Sequence, residues 1–399
     1  MTSKRFTKDF TQQEPIPQAG IEKAVAVMIS GKLHRYNVTA GEKGEAALLE
    51  EEFAAYMGKP FCLAVASCGS AMYIVLKSAG VKPGDKVLCN AYTLAPVPGA
   101  IENTGAKIEL VDIVDEYTID LDDLEKKAAS PDVTWFLLSH MRGHITDMDR
   151  VIQICRAHNL VLIEDCAHTM GAAWDGKKSG SFGKAACFST QTYKHMNSGE
   201  GGLLVTDDPD LMARAIIYSG SYMLYERHIA RPDMAVFEHL KTTVPNYSCR
   251  MDNLRASLLR PQLANLDRQC QRWNKRYDHL ARGLNKIPGI FVPDRSEKEA
   301  FVGSSIQFSL NGPTKTEIRT FLDKCMERGV ELKWFGNQEP VGFTSAYESW
   351  QYLGDLPDLP NTKRILAMMC DMRIPLTFGL EDCDAILEII ADTAKDVLA

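Results

Sequence analysis

The sequence contains no run of about 18 consecutive apolar residues, so a membrane-spanning helix is not expected. It contains no C-x-x-C pair, and its 11 cysteines are an odd number, which does not suit a framework of disulfides. Cys62 in FCLAVA and Cys187 in AACFS sit inside apolar runs, so the thiols read as reduced, buried residues of a cytoplasmic protein. The opening MTSKRFTKDFTQQEPIPQAG lacks the apolar core of a secretory signal, in keeping with the same compartment. There is no surplus of positive charge. The formal net charge is −7, which gives no support to binding of nucleic acid or of a membrane surface. No H-E-x-x-H occurs. The nearest approach to a P-loop fails, because Gly183-Lys184 is followed by Ala185 and Lys178 stands where a glycine is needed.

What is present is an ordinary globular composition, 45% hydrophobic and 24% charged, on 399 residues, long enough for two domains that share a site. The first residues, to about position 20, read as an extended arm. IEKAVAVMISG and EKGEAALLEEEFAAYMG read as amphipathic helices closed by Gly31 and Gly58. From FCLAVAS onward, short apolar strands (KVLCN, KIELVDI, TWFLLSH, LVLIED) alternate with amphipathic helices. That alternation predicts an α/β large domain with a mostly parallel sheet flanked by helices. RMDNLRASLLRPQLANLDRQCQRWNKRYDHLARGL reads as one or two long helices, with Pro261 a kink or break. Beyond Pro288-Gly289, the strand SSIQFSL and the helices KTEIRTFLDKCMERG and DCDAILEIIADTAKDVLA predict a smaller α+β domain. The expected division is 1–265 for the arm and large domain and 266–399 for the C-terminal domain.

Three constellations carry chemistry. Ala66-Ser67-Cys68-Gly69-Ser70-Ala71 joins a buried strand to a helix, where free N–H groups can cradle a phosphate; a plain small-residue turn is the alternative. In Leu162-Ile163-Glu164-Asp165-Cys166-Ala167-His168, two acids end an apolar strand, where such sheets bind ligands. One carboxylate could pair with a protonated ring nitrogen, with His168 near the same ligand, or the acids could serve as a helix cap or metal ligands. A metal site would draw on His140, His144, Glu164, Asp165 and His168, but Gly143 argues against a helix that would align the first two, and no metal is assigned. The third is Phe188-Ser189-Thr190-Gln191-Thr192-Tyr193-Lys194-His195-Met196-Asn197-Ser198-Gly199-Glu200-Gly201-Gly202. Its lysine has uncharged flanks, and burial would lower its pKa toward a reactive amine.

In this order (Gly-Ser cradle, strand-end Asp, Ser, then Lys followed by G-E-G-G) the motifs resemble those of the DegT-type nucleotide-sugar aminotransferases, a family of fold-type I pyridoxal phosphate enzymes. The resemblance extends over nearly the whole chain, through VKPGDKVLCNAYT, GHITDMDRVIQICRAHNLVLIEDCAHTMGAAWDGKKSGSFGKAACFS, SGEGGLLVTDD, YSCRMDNLRASLLRPQL and IPLTFGLEDCDAILEII. It implies that Lys194 is the Schiff-base lysine and that Asp165 pairs with the pyridine nitrogen. It implies further that His168 lies near the cofactor's phenolic oxygen, and that Gly69, Ser70 and Ser189 bind its phosphate. The implied protein is a homodimer with shared active sites, moving nitrogen from an amino donor, L-glutamate by resemblance, to a keto or aldehyde carbon of a sugar.

The chain departs from the family pattern at three places, one of them Gln191-Thr192-Tyr193, where His-Pro-Thr is more usual. The residue that lends an Asn to the partner's phosphate is here Ser248, in Ser248-Cys249-Arg250-Met251, with Asn246 two residues earlier as the alternative. The aromatic that covers the cofactor ring is replaced in Thr93-Leu94, leaving either Leu94 or Tyr92 to do so. Two other functions share the fold. A sugar dehydratase would carry His in place of Lys194, and a non-catalytic regulatory protein would have no need of Lys194, Asp165 and Ser189 together. Arg35 and Arg142 are candidates to meet a substrate carboxylate or phosphate, or are ordinary surface arginines.

Overall fold

The computed structural model describes residues 5–39 and 41–398. The extended arm leads into α1 (Gln18–Ser30) and α2 (Glu45–Met57), which end at Gly31 and Gly58 in left-handed conformation. Next come β1 (Phe61–Val65), α3 (Cys68–Ala79), β2 (Lys86–Asn90), α4 (Pro96–Glu102), β3 (Lys107–Val111) and α5 (Leu121–Ala128). β4 (Val133–Ser139), α6 (Met148–His158) and β5 (Val161–Asp165) follow, then the small hairpin β6 (Ala173–Trp174) and β7 (Lys177–Lys178). β8 (Ala185–Ser189), β9 (Gly202–Thr206), α7 (Pro209–Ser219), α8 (Met234–Glu238) and α9 (Asn253–Leu263) complete the large unit, and α10 (Leu266–Leu284) follows, packed against the C-terminal part. The C-terminal part holds β10 (Ile290–Phe291), β11 (Glu299–Ala300), β12 (Ser305–Leu310), α11 (Lys315–Glu327), β13 (Lys333–Trp334), α12 (Pro360–Met368), β14 (Met369–Arg373) and α13 (Leu380–Val397).

The main sheet has seven strands in the order β1-β9-β8-β5-β4-β2-β3. β9 alone runs antiparallel to its neighbours; the β8-β5-β4-β2-β3 pairs are parallel. The sheet is therefore mostly parallel, as its apolar strands predict. β1, β2, β5, β8 and β9 are buried almost end to end, as strands covered by helices on both faces must be. The smaller sheet, β10-β12-β14-β13, is antiparallel throughout. Pro261 lies inside α9, and the break falls later, at Ala264 and Asn265, before α10. The arm reaches the C-terminal part: Phe6 and Phe10 pack edge-on against Phe378, and Phe6 N donates to Arg328 O at 2.8 Å. All eleven cysteines are free and buried. No helix among the described residues is long and apolar enough to cross a membrane.

Candidate active site

The carboxyl ends of β4, β5 and β8 open into one cleft with the start of α3, where parallel sheets of this kind bind ligands. The alternation of a strand sends the two acids of β5 to opposite sides. Asp165 faces the cleft. Its Oδ2 accepts from Ser139 Oγ (2.8 Å), which in turn accepts from Thr93 Oγ1 (2.9 Å), and its Oδ1 accepts from Ala167 N (3.1 Å). Glu164 is buried on the other side, where it accepts from the N–H groups of Gly180, Phe182 and Gly183 and meets His140 Nε2 at 3.3 Å. Burial alone would raise its pKa, but His140 and those N–H groups hold it below the usual carboxylate range. Glu164 is a structural anchor for the turn after β7.

The residues weighed as metal ligands do not converge as a set. Asp165 and His168 line the cleft, and His144 Nε2 contacts Gln307 Oε1 at 2.8 Å. Among the described residues, His140, Glu164 and Cys166 do come within 4.8 Å of one another, but Glu164 there is already engaged by backbone.

Lys194 sits on the loop between β8 and β9. Its Nζ lies 2.8 Å from His168 Nε2. Burial, reinforced by repulsion from Arg142, brings its pKa down to about 7, and burial pushes His168 well below its usual value, so His168 is a neutral acceptor. The neighbouring His195 turns away from the cleft. Its Nδ1 donates to Met170 O (2.7 Å), leaving Nε2 to accept from Ser304 Oγ (3.0 Å), and burial lowers it to about 4. The lysine, and not the histidine after it, presents its functional atom to the cleft.

At the start of α3, Ser67 Oγ caps the helix by accepting from Ser70 N at 3.0 Å. Gly69 has room beside it: a Cβ there would find nothing nearer than Ser67 Oγ at 3.8 Å. Ser189, at the end of β8, lines the same cleft, as do Gly69 and Leu94. Ser70 holds Ser67 Oγ with its hydroxyl at 2.9 Å and is not part of the cleft wall. Of the two candidates to cover a ring, Leu94 lines the cleft; Tyr92 is buried and packs edge-on against Phe335. Ser248 and Asn246 are both exposed on the surface, outside the cleft.

The cleft has a volume of about 510 Å³. Its far wall includes residues that sequence reasoning did not single out: Phe343, and Arg373, whose guanidinium lies 3.6 Å from the centre of the Tyr193 ring. Arg142 lines the cleft as one of the two candidate arginines. Arg35 does not. It is buried against Glu50, with Nη2 2.8 and 2.9 Å from the two carboxylate oxygens, and it ties the chain after α1 to α2.

The model of the DegT/DnrJ/EryC1/StrS aminotransferase family matches residues 21–391. The spore coat polysaccharide biosynthesis protein SpsC of Bacillus subtilis (strain 168) is 27% identical over 354 residues, covering 87% of this chain and 88% of its own. The pleiotropic regulatory protein of Geobacillus stearothermophilus is 30% identical over 286 residues, covering 71% and 72%. Among solved structures, 3-amino-5-hydroxybenzoic acid synthase superposes with a TM-score of 0.80 at 26% identity, over 97% of this chain and 99% of that one.

Proposed function

Because the chain belongs to the DegT/DnrJ/EryC1/StrS aminotransferase family and is a pyridoxal phosphate-dependent aminotransferase, we propose that it moves an amino group from L-glutamate to a keto or aldehyde carbon of a sugar or sugar-like acceptor. The observation that carries this reading is the meeting, in one cleft, of the Lys194 amine, the Asp165 carboxylate fixed by Ser139, and the capped start of α3.

These residues fit the cofactor. The space left by the absent side chain at Gly69, beside the N–H groups of α3, suits a phosphate, with Ser189 as a further donor and Ser70 acting through the hydroxyl of Ser67 that it holds. Leu94 supplies an apolar cover where an aromatic is usual. Pyridoxal phosphate, when bound, supplies an electron sink that makes a C–H bond next to the transferred nitrogen acidic. The chain's residues do the rest. Asp165, acceptor-only when ionised, keeps a proton on the ring nitrogen. Lys194, with a pKa of about 7, releases and takes back a proton at Nζ near neutral pH, which is the matching a general base and acid requires. Neutral His168 orients that amine by accepting from it. Ser248 is assigned to the partner's phosphate in a homodimer, with Asn246 as its alternative.

The test is direct. Protein purified with pyridoxal phosphate should absorb in the visible, lose that absorbance on addition of L-glutamate, and do neither as Lys194→Ala. A wild type that stays colourless would sink the proposal.

A further inference from the structure

On β14, Asp371 and Arg373 stand two residues apart and so project from the same face of the small sheet. Gln307 on β12 and Lys333 on β13 are the register partners of Asp371 on either side. From the large unit, the turn after β4 brings Arg142, in left-handed conformation at φ 55°, to the same place. Its Nη2 lies 3.0 Å from Asp371 Oδ2, out of line for a hydrogen bond. Asp371 Oδ1 accepts from Gln307 Nε2 at 2.7 Å. Three cations, Arg142, Lys333 and Arg373, therefore gather about one carboxylate.

Two of the three, Arg142 and Lys333, have unmet donors. Arg142 is 8% exposed, and its Nε has no hydrogen-bond partner among the described residues; neither has the buried Lys333 Nζ. A buried guanidinium or ammonium without an acceptor is costly to keep. The excess charge is felt along the cleft: burial lowers the pKa of both Lys333 and Lys194, and repulsion from Arg142 and Arg373 lowers each further. Arg142 and Arg373 both face the cleft that holds Lys194. A ligand that brought a negative charge to this wall would satisfy the orphaned donors of Arg142 and relieve the repulsion among all three cations. The depth of Arg142 suits a compact anion joined to the reacting molecule better than a diphosphate leading out to solvent. Guanidinium forks match the planar geometry of a carboxylate.

We propose that Arg142 and Arg373, backed by the charge of Lys333 behind the cleft wall, form a subsite for a substrate carboxylate. It rests on the aminotransferase reading of the cleft and narrows it. The carboxylate has two sources, an acidic keto or aldehydo sugar as acceptor or the amino-acid donor. Removing Arg142 would break its buried ion pair with Asp371 and endanger folding, so the test uses Lys333→Met and Arg373→Gln, with Lys333→Arg as the conservative control. Holoprotein is titrated calorimetrically with 5-keto-D-gluconate and with L-sorbose, which carries a primary alcohol in place of the carboxylate. KM for L-glutamate is measured separately from the loss of visible absorbance. An acceptor carboxylate predicts that the acid binds about tenfold or more tightly than the alcohol, and that this preference collapses in the two charge-removing variants and survives in Lys333→Arg. A donor carboxylate predicts instead a rise of about tenfold in KM for L-glutamate in the same variants. If neither the acid preference nor the glutamate KM responds to the variants, or if the two sugars bind alike and KM is unmoved, the subsite is overturned. A wild type that prefers the acid yet never loses colour with any amino donor keeps the subsite and removes the aminotransferase reading.

Discussion

Lys194 and Asp165 are made useful by neighbours that tune the amine of the one and fix the carboxylate of the other in place. For Lys194 the cause is burial first and Arg142 second, and the amine titrates at about 7 in place of the ordinary 10.5. Between those values the unfolded chain holds a proton that the native site has released, so native stability rises with pH across that window. In cofactor-free protein, acylation of Lys194 read by peptide mass spectrometry should therefore follow a midpoint near pH 7. Arg373→Gln should move that midpoint upward, since it removes a repelling cation, and Lys194→Met should flatten the rise of melting temperature from pH 7 to 10. A midpoint above pH 9 in the wild type would contradict the assignment. Asp165 depends on Ser139, whose hydroxyl donates to it at 2.8 Å. Ser139→Ala should lower kcat of the glutamate half-reaction by about tenfold, the worth of one hydrogen bond to a charged group, with a smaller change in cofactor retention. Equal losses in both would mean that Ser139 shapes the cleft rather than the carboxylate.

The glycine pair that closes the lysine loop shows how an element sets the geometry of a site. Gly202 opens β9 between Val65 of β1 and Ser189 of β8. A Cβ there would collide with the backbone where α3 begins, including Cys68 N at 2.7 Å. Gly202→Ala should thus push α3 away from the cleft, weaken pyridoxal phosphate binding by at least about tenfold, and lower the melting temperature, because backbone cannot yield as a side chain can. Unchanged cofactor affinity in a titration of the apoprotein would refute this. The G-E-G-G signal was visible in the sequence as a turn, but the reason for its second glycine is a close approach between segments more than a hundred residues apart. The same divide runs through the rest of the molecule. KVLCN marks β2 to the residue, and Gly58 marks the end of α2, since an apolar run and a closing glycine are local signals. Asp165 and Lys194 were legible because each sits in a short motif with its own chemistry. Arg373 and Lys333 were not, because a lone cation in a short strand acquires a role only when the register of the small sheet sets it beside Asp371. Nor could local pattern reveal that β9 runs against its neighbours, or that the two-residue strands β6, β7 and β11 form a sheet of their own.

At the scale of the molecule, the cleft is built from both parts of the chain: Lys194, Asp165 and Arg142 from the large unit, Arg373 from the small one. The phosphate end has a further demand, because the proposed homodimer calls on a residue that this chain does not direct into its own cleft. Ser248 and Asn246 are exposed, and the surface about them is apolar. Tyr247 is 65% exposed, Tyr222 62% and Met223 61%, with Tyr222 N bonded to Asn246 Oδ1 at 3.4 Å. Large exposed aromatics gathered beside a polar residue mark a face that another molecule covers. If a second copy covers it, association and cofactor retention are one event, since the same face would carry Ser248 to the partner's phosphate. Tyr247→Asp places a charge on that face without touching the cleft. Sedimentation velocity should show the wild type as a dimer and the variant shifted toward monomer. Visible absorbance retained after dialysis should fall in proportion to the monomer formed. A wild type that sediments as a monomer would remove the homodimer, and a monomeric variant that keeps its colour would show that Ser248 and Asn246 contribute nothing to the partner's cofactor.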